Sequence, residues 1–175
     1  MLLVHQVNLC TIEAQCHTST LICENTMKKL LLTLVASTLF VSAAQAHNFE
    51  DAKDAIEYRQ SAFSLIAYNF GDMGAMMKGK KPFEAKTLAM RATNVAALSM
   101  LPIEGFIEGS DKGDTEALAK IWQDKADFDA KMKTFQENAA ILATVAQQGD
   151  QAAIKDAFMN TGKSCKGCHD AYKKD

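Results

Sequence analysis

The sequence predicts an all-α protein, an antiparallel four-helix bundle. Three observations carry this. Apolar residues recur at steps of three and four along four separate stretches. Strand-like alternation is missing. Breakers are few, since Pro82 and Pro102 are the only prolines in 175 residues, and Ala, Leu and Met are frequent. Four amphipathic helices bury their apolar stripes best against one another.

The first helix is expected over residues 49–77. Its seam is Ile56, Arg59, Phe63, Ile66, Phe70, Met73 and Met77, apolar except for Arg59. Gly79 and the cations Lys78, Lys80 and Lys81 end it, because positive charge suits a helix C-terminus. Pro82 stands at or just before the second helix, expected over 83–100, with Leu88, Ala92, Val95 and Leu98 inward. Pro102 stops it. Residues 101–114 hold Gly105, Gly109 and Gly113 and read as a crossover loop with one short turn over 103–106. A third helix is expected from Thr115, with Asp114 as N-cap. Its seam is Leu118, Ile121, Lys125, Phe128, Met132, Phe135, Ala139, Leu142 and Ala146, with Trp122 beside it. Gly149 suits a left-handed C-terminal cap and Asp150 an N-cap for the fourth helix, expected over 151–173. That last seam is Ile154, Phe158, Thr161, Cys165, Cys168 and Tyr172.

The chain before these helices has a different character. Residues 27–46 read as a secretory signal: Lys28 and Lys29, a short apolar run over 30–41, then Ala44-Gln45-Ala46 as a cleavage site. About a dozen apolar residues are too few to span a bilayer. Cleavage starts the mature chain at His47. Residues 1–26 precede a complete signal and are expected to be an upstream extension outside the natural product, so Cys10, Cys16 and Cys23 are set aside. The mature chain, 47–175, is one domain by size. The net charge is −2, with both signs interspersed and no basic stripe, so nothing points to nucleic acid.

Cys165-Lys166-Gly167-Cys168-His169 carries the chemistry. Cys-x-x-Cys-His is the attachment sequence for c-type haem. Two thiols add to two porphyrin vinyl groups, and the histidine reaches the iron from the same side. On a helix the cysteines stand at i and i+3 and His169 at i+4, so all three share one face. Gly167 points the other way. A disulfide gives His169 no role, a zinc site needs further ligands, and a thioredoxin-like pair expects a strand–helix context. The cysteines also fall on the apolar seam, so a motif and a periodicity agree. The expectation becomes an all-α antiparallel four-helix bundle with one covalent haem c in its core, held through Cys165 and Cys168, with His169 as the metal ligand. Arg59, alone on an apolar seam, needs an anion, and a haem propionate supplies one.

An electron-transfer cytochrome c usually has two strong axial ligands, most often His and Met. The residues after His169 contain neither. The methionines left as candidates are Met73, Met76, Met77, Met90, Met100, Met132 and Met159, each more simply read as core or surface filler.

A terminal attachment motif on a four-helix exported domain, with Tyr58-Arg59-Gln60 early in the first helix, resembles the cytochromes c′, the class II c-type cytochromes. The resemblance spans residues 49–174. It includes Tyr58-Arg59-Gln60-Ser61-Ala62, Ile121-Trp122, Phe135-Gln136-Glu137-Asn138 and the stretch 165–172. It implies a five-coordinate, high-spin iron with His169 as sole protein ligand. It places Phe63, four residues after the arginine, over the distal face, where low-spin relatives carry a ligating Met. It implies haem-edge contacts for Arg59 and Gln60, and aligns Thr115 and Glu116 with a haem-contacting stretch, although relatives often carry a basic residue where Glu116 stands. Lys173 stands where some relatives have an arginine beside the proximal histidine. Homodimers through the first two helices are common in the family, and Met76 and Met77 are candidates for that contact.

The function expected is a periplasmic haem protein, not an enzyme, that binds nitric oxide and carbon monoxide at an apolar distal site and can pass one electron to a redox partner. A dedicated low-spin electron carrier is the alternative. A peroxidase wants polar acid–base groups over the iron, and none is evident near Phe63.

Overall fold

The computed structural model describes residues 49–174. The signal-like segment 27–46, the upstream stretch and His47 lie outside the described residues. The bundle consists of α1 (Ala52–Met77), α2 (Ala85–Leu98), α3 (Lys125–Gln148) and α4 (Gln151–Tyr172). The crossover between α2 and α3 contains a 3-10 turn, Pro102–Gly105, and a single helical turn, Lys120–Gln123.

Each helix starts and stops for a local reason. Asp51 caps α1, its carboxylate accepting from the Asp54 N–H at 3.0 Å. Phe49 therefore falls outside the helix, its ring 5.1 Å from that of Tyr58. Past Met77 the chain reverses through Gly79, at φ 67°. Glu84 is extended and delays α2 to Ala85. Gly149 takes the left-handed conformation at φ 79° and closes α3. Asp150 then caps α4, accepting from Ala152 and Ala153 at 2.9 and 3.2 Å.

The start of the third helix departs from expectation. Asp114 is not its cap, and residues 115–119 are not helical. Their backbone is engaged elsewhere. Ala117 forms an isolated antiparallel bridge with Lys173, the Leu118 N–H donates to Tyr172 O at 2.9 Å, and the Lys174 N–H donates to Glu116 O at 2.8 Å. A segment paired to the chain terminus cannot also satisfy a helix. One helical turn follows, the backbone breaks at Asp124, and α3 begins at Lys125.

Packing follows the chain order: α1 on α2, α2 on α3, α3 on α4. The apolar interior divides into two clusters. One joins Ile66, Met73, Leu88, Val95, Phe135, Leu142 and Ile154. The other joins Ile121, Phe128, Met132 and Tyr172. The backbones of α1 and α4 approach less closely than the other neighbours. Across that gap Phe70 and Phe158 stack, centroids 4.2 Å apart and planes 4° from parallel.

Two contacts at opposite ends of α1 give tests. Gly105 lets the crossover press on α1: a Cβ there would sit 2.6 Å from Ala55 O and 2.8 Å from Arg59 Cβ. Because backbone stands in the way, Gly105→Ala is expected to cost about 1–3 kcal/mol in denaturant unfolding. Toward the other end, Lys81 and Arg91 both pair with Asp72 and hold its carboxyl below the usual carboxylate range. A depressed carboxyl stabilises the fold above the ordinary carboxylate pKa and loses that contribution as the pH falls through its folded value. Asp72→Asn should therefore lower the melting temperature near pH 7 and leave it almost unchanged below about pH 2, where the wild-type carboxyl is also neutral.

Candidate functional site

A cavity of about 790 Å³ lies between α1 and α4, roofed by the crossover. Ile66, Phe70, Ile121, Phe128, Met132 and Phe135 make its walls apolar. All nine residues singled out from the sequence line it: Arg59, Gln60, Phe63, Thr115, Glu116, Cys165, Cys168, His169 and Lys173.

Helix α4 presents the attachment motif as its spacing requires. Cys165 and Cys168 are free, half-buried thiols one turn apart. Cys165 packs on the first apolar cluster and Cys168 on the second. Burial raises both thiol pKa values, so both are protonated at neutral pH. Among the described residues no set of three His, Cys, Asp or Glu gathers as a metal site. His169 follows on the same face. Partial burial and the nearby Lys173 lower its pKa, which favours the neutral imidazole that ligates metals.

Arg59 is buried, 2% exposed. Its terminal N–H groups reach acceptors on the crossover. Nη1 donates to Gly105 O and Ser110 Oγ, both at 2.7 Å. Nη2 donates to Ser110 O at 2.6 Å and Thr115 Oγ1 at 2.8 Å. The guanidinium also lies over the Phe106 ring, 4.6 Å from its centroid. Burial lowers its pKa to about 10, and it remains charged at neutral pH.

The other polar residues are tied to the same loop. Gln60 donates to Asp114 O at 2.8 Å. Thr115 Oγ1 accepts both from Arg59 and from the Ala117 N–H. Glu116 pairs with Lys173 at 2.7 Å, which pulls the Glu116 carboxyl below its usual range. Lys173 is thus a partner in an ion pair across the loop and α4. Phe63, half-buried, meets the Phe106 ring edge-on at 6.4 Å.

Several lining residues escaped the sequence reading. Phe106 and Lys131 line the cavity. Ser110, fully buried, takes two of the Arg59 bonds and carries no periodic signal. Tyr172 was placed on the seam, but its hydrogen bond to Asp127 at 2.5 Å was not foreseen. Of the candidate methionines, Met132 lines the cavity. Met73 and Met76 are buried in the first cluster, and Met90, Met100 and Met159 are exposed.

Two thiols and an imidazole on one helical face, opening on an apolar cavity with charged and amide groups at one edge, fit a porphyrin with two carboxylates. The comparisons agree. The family model described as Cytochrome C′ matches residues 54–173. A cytochrome c′ of Rubrivivax gelatinosus is 47% identical over 126 residues, covering 71% of this chain and 98% of that protein. The structure of cytochrome c prime from Shewanella frigidimarina matches with 75% identity and a TM-score of 0.72, over 73% of this chain and 99% of the other. A nitric oxide complex of a cytochrome c prime variant from Alcaligenes xylosoxidans matches with 39% identity and a TM-score of 0.68, over 73% and 98%. The chain belongs to the cytochrome c′ family, and its cofactor is one covalent haem c.

Proposed function

We propose that this is a periplasmic gas-binding cytochrome with five-coordinate, high-spin iron, taking nitric oxide and carbon monoxide at an apolar distal site. The observation that carries it is Phe63, a ring without a donor atom, on the α1 wall of the cavity opposite the α4 motif. The Alcaligenes relatives solved with nitric oxide and with carbon monoxide support the ligand class. Haem c supplies an iron that cycles between ferric and ferrous and binds diatomic ligands.

The roles of the chain follow from its geometry. Cys165 and Cys168 would hold the porphyrin by thioether bonds, and His169 would ligate the iron. Arg59, Gln60 and Thr115 fix the loop at the polar edge, where Arg59 also lends its positive charge. Glu116 and Lys173 lock that loop to α4 beside the imidazole. Phe63 excludes water and offers no hydrogen bond to bound dioxygen, a ligand that depends more on such a donor than nitric oxide or carbon monoxide do. No catalytic residue is assigned. The secretory reading of residues 27–46 supports the compartment, and no described helix is long and apolar enough to cross a membrane.

A second reading, a low-spin electron carrier, has one observation behind it: the Met132 thioether is also at the cavity. Absorption spectra separate the two. The purified ferrous protein should show a high-spin spectrum that shifts under carbon monoxide. Phe63→Met should convert it to low spin and weaken carbon monoxide binding by at least about tenfold, as a competing thioether takes the sixth position. A sharp low-spin wild-type spectrum that Met132→Leu abolishes would instead establish the carrier.

The chain is also proposed to form a homodimer through α1 and α2. Met76 cannot serve, because it is buried at 5% exposure; Leu65 and Tyr68 on α1 and Met90 on α2 are exposed at 53, 64 and 49%. Sedimentation should give a dimer for the wild type and a monomer for Leu65→Glu. A monomeric wild type would reject the interface.

A further inference from the structure

Phe106 stands between the two best-defined features of the site, the buried Arg59 and the distal Phe63. It is the first residue after the 3-10 turn, and its ring borders the cavity. Its position is fixed on several sides. The Arg59 guanidinium lies on it at 4.6 Å. Phe128 packs at 4.7 Å and Trp122 at 6.2 Å. Trp122 Nε1 donates to Ile107 O at 3.0 Å, pinning the next residue of the loop. Gly105, pressed against the α1 backbone, leaves the loop no retreat from below.

Phe63 packs against the first apolar cluster. It lies half-buried on the cavity wall, and Phe106 is its aromatic neighbour among the described residues. The contact is edge-on, planes 70° apart. Whatever rotation Phe63 makes toward the loop, the clamped face of Phe106 limits it.

We infer that Phe106 is a positioning residue that sets how readily Phe63 leaves the distal face, and so how fast and how selectively diatomic ligands enter. Phe106 acts through Phe63. It need not touch the ligand. Arg59 thereby has a second consequence, since the charge that anchors the loop also holds the ring that limits Phe63. This inference rests on the distal placement of Phe63 proposed above, and the test separates the two.

The test uses the holoprotein with Phe106→Leu and Phe106→Met, two variants of differing shape in case one does not fold. Carbon monoxide rebinding after flash photolysis is expected to speed up roughly threefold to tenfold, the range one aromatic pair can supply. The increment should vanish in a Phe63→Ala background, because the clamp then has nothing to hold. A crystal structure of the unliganded variant should show Phe63 in a second rotamer. An unchanged rate, an increment that persists in Phe63→Ala, or a single unshifted Phe63 conformer overturns the inference. If the wild type takes up no carbon monoxide, the gas-binding reading fails by itself, and the Phe63 conformers alone decide the role of Phe106.

Discussion

Arg59 reaches from the second turn of α1 into the crossover and spends four N–H groups on Gly105, Ser110 and Thr115. Hydrogen bonds from a charged donor are each worth about 1.5–3 kcal/mol net, against the desolvation that burial imposes. The loop is long and glycine-bearing, and this fork adds a polar anchor to the apolar contacts of Ile103, Phe106, Ile121 and Trp122. Everything at the polar edge depends on that. Gly105 is drawn onto α1, Phe106 is brought beside Phe63, and Thr115 is set where Glu116 meets Lys173. A lysine would supply the charge without the planar array of donors.

The second determinant is the division of the apolar interior. An ordinary four-helix bundle closes one continuous core. Here two clusters lie on either side of a space of about 790 Å³, and each has one attachment cysteine packed against it. A prosthetic group bound in that space would be a structural member, filling the place that side chains fill in other bundles. Far from the loop, the stack of Phe70 on Phe158 sets the width of that space. Gly74 and Gly162 make room for it, since an added Cβ at either would lie 3.3 or 3.6 Å from a phenyl carbon.

The sequence showed the bundle clearly because its signals are local. Helical periodicity, the Asp150 cap and the Gly149 turn depend on neighbours within a few residues. The attachment motif is local too, and its coincidence with the α4 seam gave the site. Long-range pairings were hidden. Residues 115–119 looked helical because Leu118 and Ile121 continue the α3 spacing, but their backbone pairs with residues more than fifty positions away. The bare fact of a lone seam arginine predicted an anion. It could not reveal that Ser110 and two loop carbonyls lie in reach. Met76 was a candidate for a dimer contact, yet it is buried at 5% exposure in the first cluster.

The pairing of residues 172–174 with the crossover bears on how firmly α4 is held. His169 lies in the last turn of α4, and helix ends ordinarily fray. Backbone bonds at Tyr172 and Lys174, with Lys173 held by Glu116, tie that end down. The strap therefore holds the last turn of α4, and with it the imidazole proposed to meet the iron, against local unwinding.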